Sequence, residues 1–143
     1  MKKEHLSVMD AIYRNADMGQ SSTKNIMKKV CDSHLKQELE KQLEYYGNSL
    51  DAIEKDFEMK NDEPDKLNPM VKAWARIDLE MQTMMDCDSS KIAELMIEGT
   101  NMGIIEIEKA LNANENIPHD VHTHAQSVIE HEKKYIERLK SYL

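Results

Sequence analysis

The chain has 143 residues, 32% of them charged, with a formal net charge of −8. That sign argues against nucleic acid and anionic membranes as general partners, since both are negative themselves. The length suits one domain able to bury a core without disulfide help. Four glycines and three prolines, set among abundant Glu, Lys, Leu and Met, favour an all-helical protein over a sheet.

Aromatic residues make up only 5% of the chain, so aliphatic side chains and the eleven methionines must fill the core. Cys31 and Cys87 form no Cys-x-x-Cys pair, and two lone cysteines fit a reduced, cytoplasmic protein. The N-terminal stretch MKKEHLSVMDAIYRNAD has no apolar run of signal-peptide length. Nowhere do about 18 apolar residues follow one another, so no membrane span is expected.

The first predicted helix covers about 4–30, with Val8, Ile12, Ala16, Gly19, Thr23, Ile26 and Val30 at steps of three and four. Gly19 inside that stripe points to close approach of a neighbouring helix. The turn Cys31-Asp32-Ser33-His34 supplies Asp32 or Ser33 as an N-cap. The second helix runs to about 60 with a stripe of Leu35, Leu39, Leu43, Tyr46, Leu50, Ile53 and Phe57, and Gln42 beside it. So short a connection makes these two helices antiparallel neighbours.

Residues 61–69 (NDEPDKLNP) break the periodicity. Asn68 is a cap with Pro69 at the first helical position. A shorter helix follows, with Met70, Trp74, Ile77, Met81, Met84 and Met85 on one face. That face is expected to dock on the rest of the chain, with dimerisation through it as the alternative. The patch 86–90 (DCDSS) ends it and offers Asp88 or Ser89 as the next cap. Another helix spans about 90–113, with Ile92, Met96, Gly99, Gly103, Ile107 and Ala110 on one face and Glu106 beside it. Pro118 opens the last helix, whose stripe of Val121, Ala125, Val128, Tyr135, Ile136 and Leu139 includes Glu132.

Met-Gly occurs midway along two of these helices, at Met18-Gly19 and Met102-Gly103. The chain therefore divides into hairpins at 4–60 and 90–143, joined by a crossover at 61–89 and forming a single domain. Two short turns and one long crossover make the second helix and the helix at 90–113 run parallel, with the crossover helix laid across the bundle.

This arrangement, with the Met-Gly hairpin repeat and the stretch IAELMIEGTNMGIIEI, resembles the ferritin-like superfamily, specifically small Gram-positive bacterial proteins of that type. The resemblance implies a ferritin-like four-helix bundle. Carboxylate proteins of that superfamily hold two metals with one Glu from each of two helices and Glu-x-x-His from each of the others. Here no Glu-x-x-His occurs. The corresponding stretches read Gln42-Leu43-Glu44-Tyr45 and Glu132-Lys133-Lys134-Tyr135. An amide is a poor ligand for iron, and a Tyr hydroxyl must first lose a proton of pKa about 10.

Gln42, Glu106 and Glu132 are expected to converge in the core, with Tyr46 and Tyr135 closing its ends. As a polar layer they would fix helix register, since a buried carboxylate must be paired or protonated. As a metal site, Glu106 and Glu132 would hold iron, manganese or zinc in a reduced carboxylate centre. His119, His122 and His124 with Asp120 have spacing suited to a surface metal, but at a helix start with no Cys or Glu partner the expected reading is a solvated first turn. His131 is placed beside the apolar stripe, exposed. Cys87 between Asp86 and Asp88 is an unfavourable nucleophile, because adjacent negative charge raises a thiol's pKa. The functional expectation is a non-enzymatic structural or protein-association module, with a homodimer as the expected partner state.

Overall fold

A computed structural model describes the backbone of residues 3–57 and 68–143 and the side chains of 8–54 and 68–143. The described residues form five α-helices and no strand: α1 (Lys3–Ile26), α2 (Ser33–Phe57), α3 (Pro69–Thr83), α4 (Ser89–Ala113) and α5 (His119–Leu139). The expected segment 61–67 and the side chain of Phe57 lie outside the described residues.

The helix starts follow from side-chain acceptors. Asp32 Oδ1 accepts from the backbone N–H of His34 and Leu35, both at 2.9 Å. Asn68 Oδ1 accepts from Met70 N at 2.8 Å with Pro69 in the first turn, and Asp88 Oδ1 accepts from Lys91 N at 3.0 Å. Each satisfies an N–H that the first helical turn leaves without a partner. The first helix ends earlier than its stripe implied, at Ile26, and Met27–Lys29 tighten into a 3-10 turn.

Two apolar clusters give the helix directions. One joins Ile26, the end of α1, to Leu35 and Leu39 of early α2, Ile92 and Leu95 of early α4, and Tyr135 and Leu139 of late α5. The other joins Val8 and Ile12 of early α1 to Ile53, Ile104 and Ile107, and to Val121 and Ala125 of early α5. Hence α1 is antiparallel to α2 and α4, and α2 runs parallel to α4, as the long connection required.

Helix α3 lies along the groove between α1 and α4 and not across the bundle. Its start shares a cleft with Asp10 and Arg14, its middle faces Asp17–Ser22, and its end faces Asn25 and Lys29. Ser22 Oγ donates to Asp78 Oδ1 at 2.8 Å, and Arg76 meets Glu98 of α4 at 2.7 Å. The Met/Trp face fills that groove. Met70, Trp74, Ile77 and Met81 are all buried, so this face is occupied within the chain and is not free for dimerisation.

Glycines on the stripes make room for side chains. A Cβ at Gly19 would lie 2.6 Å from the Tyr46 ring, and one at Gly103 would overlap Asn15. The Met-Gly repeat thus admits a phenol in one hairpin and an amide in the other. At Gly99 a Cβ would overlap the ring of Trp74. Gly99→Ala should therefore lower stability by about 1–3 kcal/mol, as overpacked cores do. Trp74 is the chain's one tryptophan, so a displaced α3 would shift its fluorescence, and an unchanged spectrum and melting curve would refute the account.

The cysteine expectation is corrected. Cys31 and Cys87 form a disulfide with Cα atoms 4.9 Å apart, and no free cysteine remains. Because α2 and α4 run parallel, their starts lie at one end of the molecule, which brings the residue before each cap together. No described helix is long and apolar enough to cross a membrane.

Candidate functional site

Four buried polar side chains, one from each of four helices, sit at one level. Asn15 of α1, Gln42 of α2, Thr100 of α4 and Glu132 of α5 are each 0–1% exposed. In every helix this residue falls between the positions that feed the two apolar clusters: Ile12 and Ile26, Leu39 and Ile53, Met96 and Ile104, Ile129 and Tyr135. The layer divides the core in two.

Glu132 is its centre. Oε1 accepts from Asn15 Nδ2 at 2.9 Å and Oε2 accepts from Gln42 Nε2 at 2.7 Å. The Tyr46 hydroxyl adds a third hydrogen bond, and Gln42 and Thr100 in turn bond to Tyr46. Burial pushes the Glu132 carboxyl from its ordinary 4.5 up to about 7, while the bonds from Asn15, Gln42 and Tyr46 pull the other way. Desolvation dominates because neutral donors offset only part of the lost hydration of a carboxylate. The same burial, with the Glu132 charge nearby, raises Tyr45, Tyr46 and Tyr135.

Gln42 spends its amide on Glu132, leaving Oε1 as the acceptor 3.1 Å from His131 Nε2. That pairing places the imidazole proton on Nε2. His131 is half-buried and not exposed as expected. Its ring stacks on Tyr45 with centroids 3.4 Å apart and 8° between planes. Burial lowers its pKa, with Arg138 and Lys134 adding to the effect. The histidine and tyrosine cover the seam between α2 and α5, and a hydrogen-bonded chain leads from them to Glu132.

The sequence-derived candidates divide accordingly. Gln42 and Glu132 converge as expected, and Tyr46, expected to close one end of the core, joins them at Glu132. Glu106 does not join them: it lines an open cleft of about 270 Å³ with Asp10, Arg14, Asn68, Met70 and Lys109, and Oε1 lies 3.6 Å from Lys109 Nζ. Position 106 is one helical step to the side of the buried Gly103–Ile107 line, so its side chain turns away from Glu132 and into that cleft, where it is 14% exposed. Tyr135 is buried near Glu132, yet its hydroxyl finds no hydrogen-bond partner among the described residues. His119 and His122 are exposed on the first turn of α5. Among the described residues, no group of three or more His, Cys, Asp and Glu side chains is placed to hold a metal ion.

Asn15, Thr100 and the Tyr45–His131 stack were not anticipated. Asn15 completes the steps Val8, Ile12, Asn15, Gly19, and Thr100 lies four residues after Met96. A polar residue on an apolar stripe carries that signal, but its partner is decided by packing. Compared with family models, curated proteins and solved structures, the chain matches none.

The Glu132 carboxyl makes a signed pH prediction. Its folded pKa exceeds the unfolded one, so its favourable contribution is complete below about 4.5 and is lost as pH rises through about 7. Across that window the wild type should lose about 3 kcal/mol relative to Glu132→Gln. Urea unfolding of both proteins at pH 5, 6, 7 and 8 measures the difference. Parallel curves would show that Glu132 titrates normally.

Proposed function

We propose that this chain is a ferritin-like helical bundle without catalytic activity, acting as a structural or protein-association module in the cytoplasm. The long connection between two parallel helices supports the ferritin-like reading. The observation that carries the non-enzymatic reading is that both oxygens of Glu132 accept from amide N–H groups. Amide donors turned toward a carboxylate satisfy it without a metal and cannot ligate one through those hydrogens. The layer then acts as a register pin, favouring the one alignment of α1, α2, α4 and α5 in which Asn15 and Gln42 both reach Glu132.

The association partner proposed is a second copy of the chain. With the Met/Trp face occupied, the apolar side chain left outward on α3 is Leu79, 65% exposed. Light scattering should give twice the 16.6 kDa chain mass, falling to the single mass in Leu79→Lys. A monomer at high concentration would remove this part of the proposal.

The competing reading holds iron, manganese or zinc at Glu106 and Glu132. Elemental analysis of protein purified without a tag or chelator separates the two. We expect no near-stoichiometric metal and no change in thermal unfolding on adding a chelator. Bound metal that disappears in Glu132→Gln would overturn the register-pin account.

A further inference from the structure

The disulfide lies outside the polar layer, and neither of its cysteines belongs to an apolar cluster. Its two halves are matched in sequence: Cys31-Asp32-Ser33 and Cys87-Asp88-Ser89 each place a cysteine immediately before the Asp that caps a helix. Both cysteines are exposed, and so are residues 32–34 and 85–88 around them, with Met85 79% exposed. A thiolate can therefore approach either sulfur from solvent. Accessible disulfides of this kind are the labile and regulatory ones, whereas purely structural bridges resist reduction.

The bridge also has a defined mechanical position. It fastens the turn between α3 and α4 to the end of α1 and the start of α2. Among the described residues two other polar contacts do the same work: Cys87 N–H donates to Lys29 O at 2.9 Å, and Lys29 Nζ donates to Met84 O at 2.7 Å. Cys87 is held at φ 67°, the one left-handed non-glycine residue described. That conformation is unfavourable for a residue with a Cβ, so the turn relaxes away from it when the bridge opens. The apolar clusters are built from helix side chains and do not include either cysteine.

We propose that Cys31–Cys87 is a thiol–disulfide exchange site, opened by a dithiol reductant and closed by a disulfide oxidant, whose opening frees the α3–α4 turn while the helices stay folded. The reductant's thiolate attacks Cys87 Sγ, forming a mixed disulfide and expelling Cys31 as thiolate. Cys31 is the better leaving group because it has one adjacent carboxylate, Asp32, whereas Cys87 lies between Asp86 and Asp88. The reductant's second thiol then attacks its own mixed-disulfide sulfur and expels Cys87 as thiolate. Two electrons pass to the protein, both thiolates take up protons according to pH, and the reductant leaves as its disulfide. The reverse reaction with glutathione disulfide yields two reduced glutathiones and restores the bridge.

The test titrates the full chain with dithiothreitol in native buffer, followed by iodoacetamide alkylation and mass measurement. Circular dichroism and limited proteolysis are read in parallel. The proposal expects two alkylated thiols with helicity retained, and cleavage within 84–88 faster by about tenfold, as a freed turn opens more often. Glutathione disulfide should reverse both changes, and Cys31→Ser should trap glutathione on Cys87. Thiols that become reactive only after denaturation would overturn the proposal. So would helicity lost together with the bridge, cleavage of the turn unchanged on reduction, or protein whose thiols remain free in the presence of glutathione disulfide.

Discussion

Glu132→Ala should lower the unfolding free energy by about 3–5 kcal/mol, the largest single-residue effect in the chain. The loss has two sources. Asn15 Nδ2, Gln42 Nε2 and the Tyr46 hydroxyl lose their common acceptor, and each buried donor left without one costs about 1–3 kcal/mol. The deleted side chain also leaves a cavity in a fully buried position. Glu132→Gln keeps the shape and one acceptor, so its loss should be less than half as large. Chemical denaturation at pH 7 decides the matter: equal losses in the two variants would show that the carboxylate's pair of acceptors, and not the volume of the side chain, sets the cost at this position. Asn15→Ala and Glu132→Ala combined should lose less than the sum of the two, because after the first change the second removes a bond already broken.

Opening the disulfide should have a comparable effect on global stability. Cys31 and Cys87 are 56 residues apart in sequence, and closing a loop of that length removes chain entropy equivalent to about 4 kcal/mol from the unfolded state. The double variant Cys31→Ser, Cys87→Ser should therefore unfold at lower denaturant, with a larger dependence on denaturant as the unfolded chain expands. Its native helicity should be unchanged, since neither cysteine belongs to an apolar cluster. Denaturation midpoints that agree within error would mean the bridge contributes nothing to the folded state's advantage.

Much of the fold could be read from residue spacing, because burial in a helix repeats every three or four residues whatever the partner. Val8, Ile12, Leu35, Leu39, Ile92, Ile107, Val121 and Ala125 are all buried where the periodicity put them. The caps Asp32, Asn68 and Asp88 were legible for a similar reason: a side-chain acceptor two or three residues ahead of an N–H is a local interaction. The parallel run of α2 and α4 followed from the length of the crossover.

The site was legible only as residue types. Gln42 and Glu132 stood on or beside apolar stripes and so announced a polar interior, but nothing local reveals that Gln42 and Asn15 both turn their amides toward one carboxylate. Glu106 shows the same limit from the other side. A position at the edge of a stripe can face the polar layer or turn aside, and here the neighbouring α1 and α3 leave a cleft that takes it aside. The cysteines are the clearest case: 56 residues separate them, and only the common end shared by α2 and α4 joins them.

By itself the sequence determined the all-helical class, the helix starts and most of the buried face of each helix, since these depend on interactions within a few residues. Tertiary structure alone decided which donors meet Glu132, that α3 lies along the α1–α4 groove, and that Cys31 meets Cys87. Those outcomes depend on the relative rotation and direction of helices distant in the chain, which hydrophobic burial drives but does not encode at any one residue.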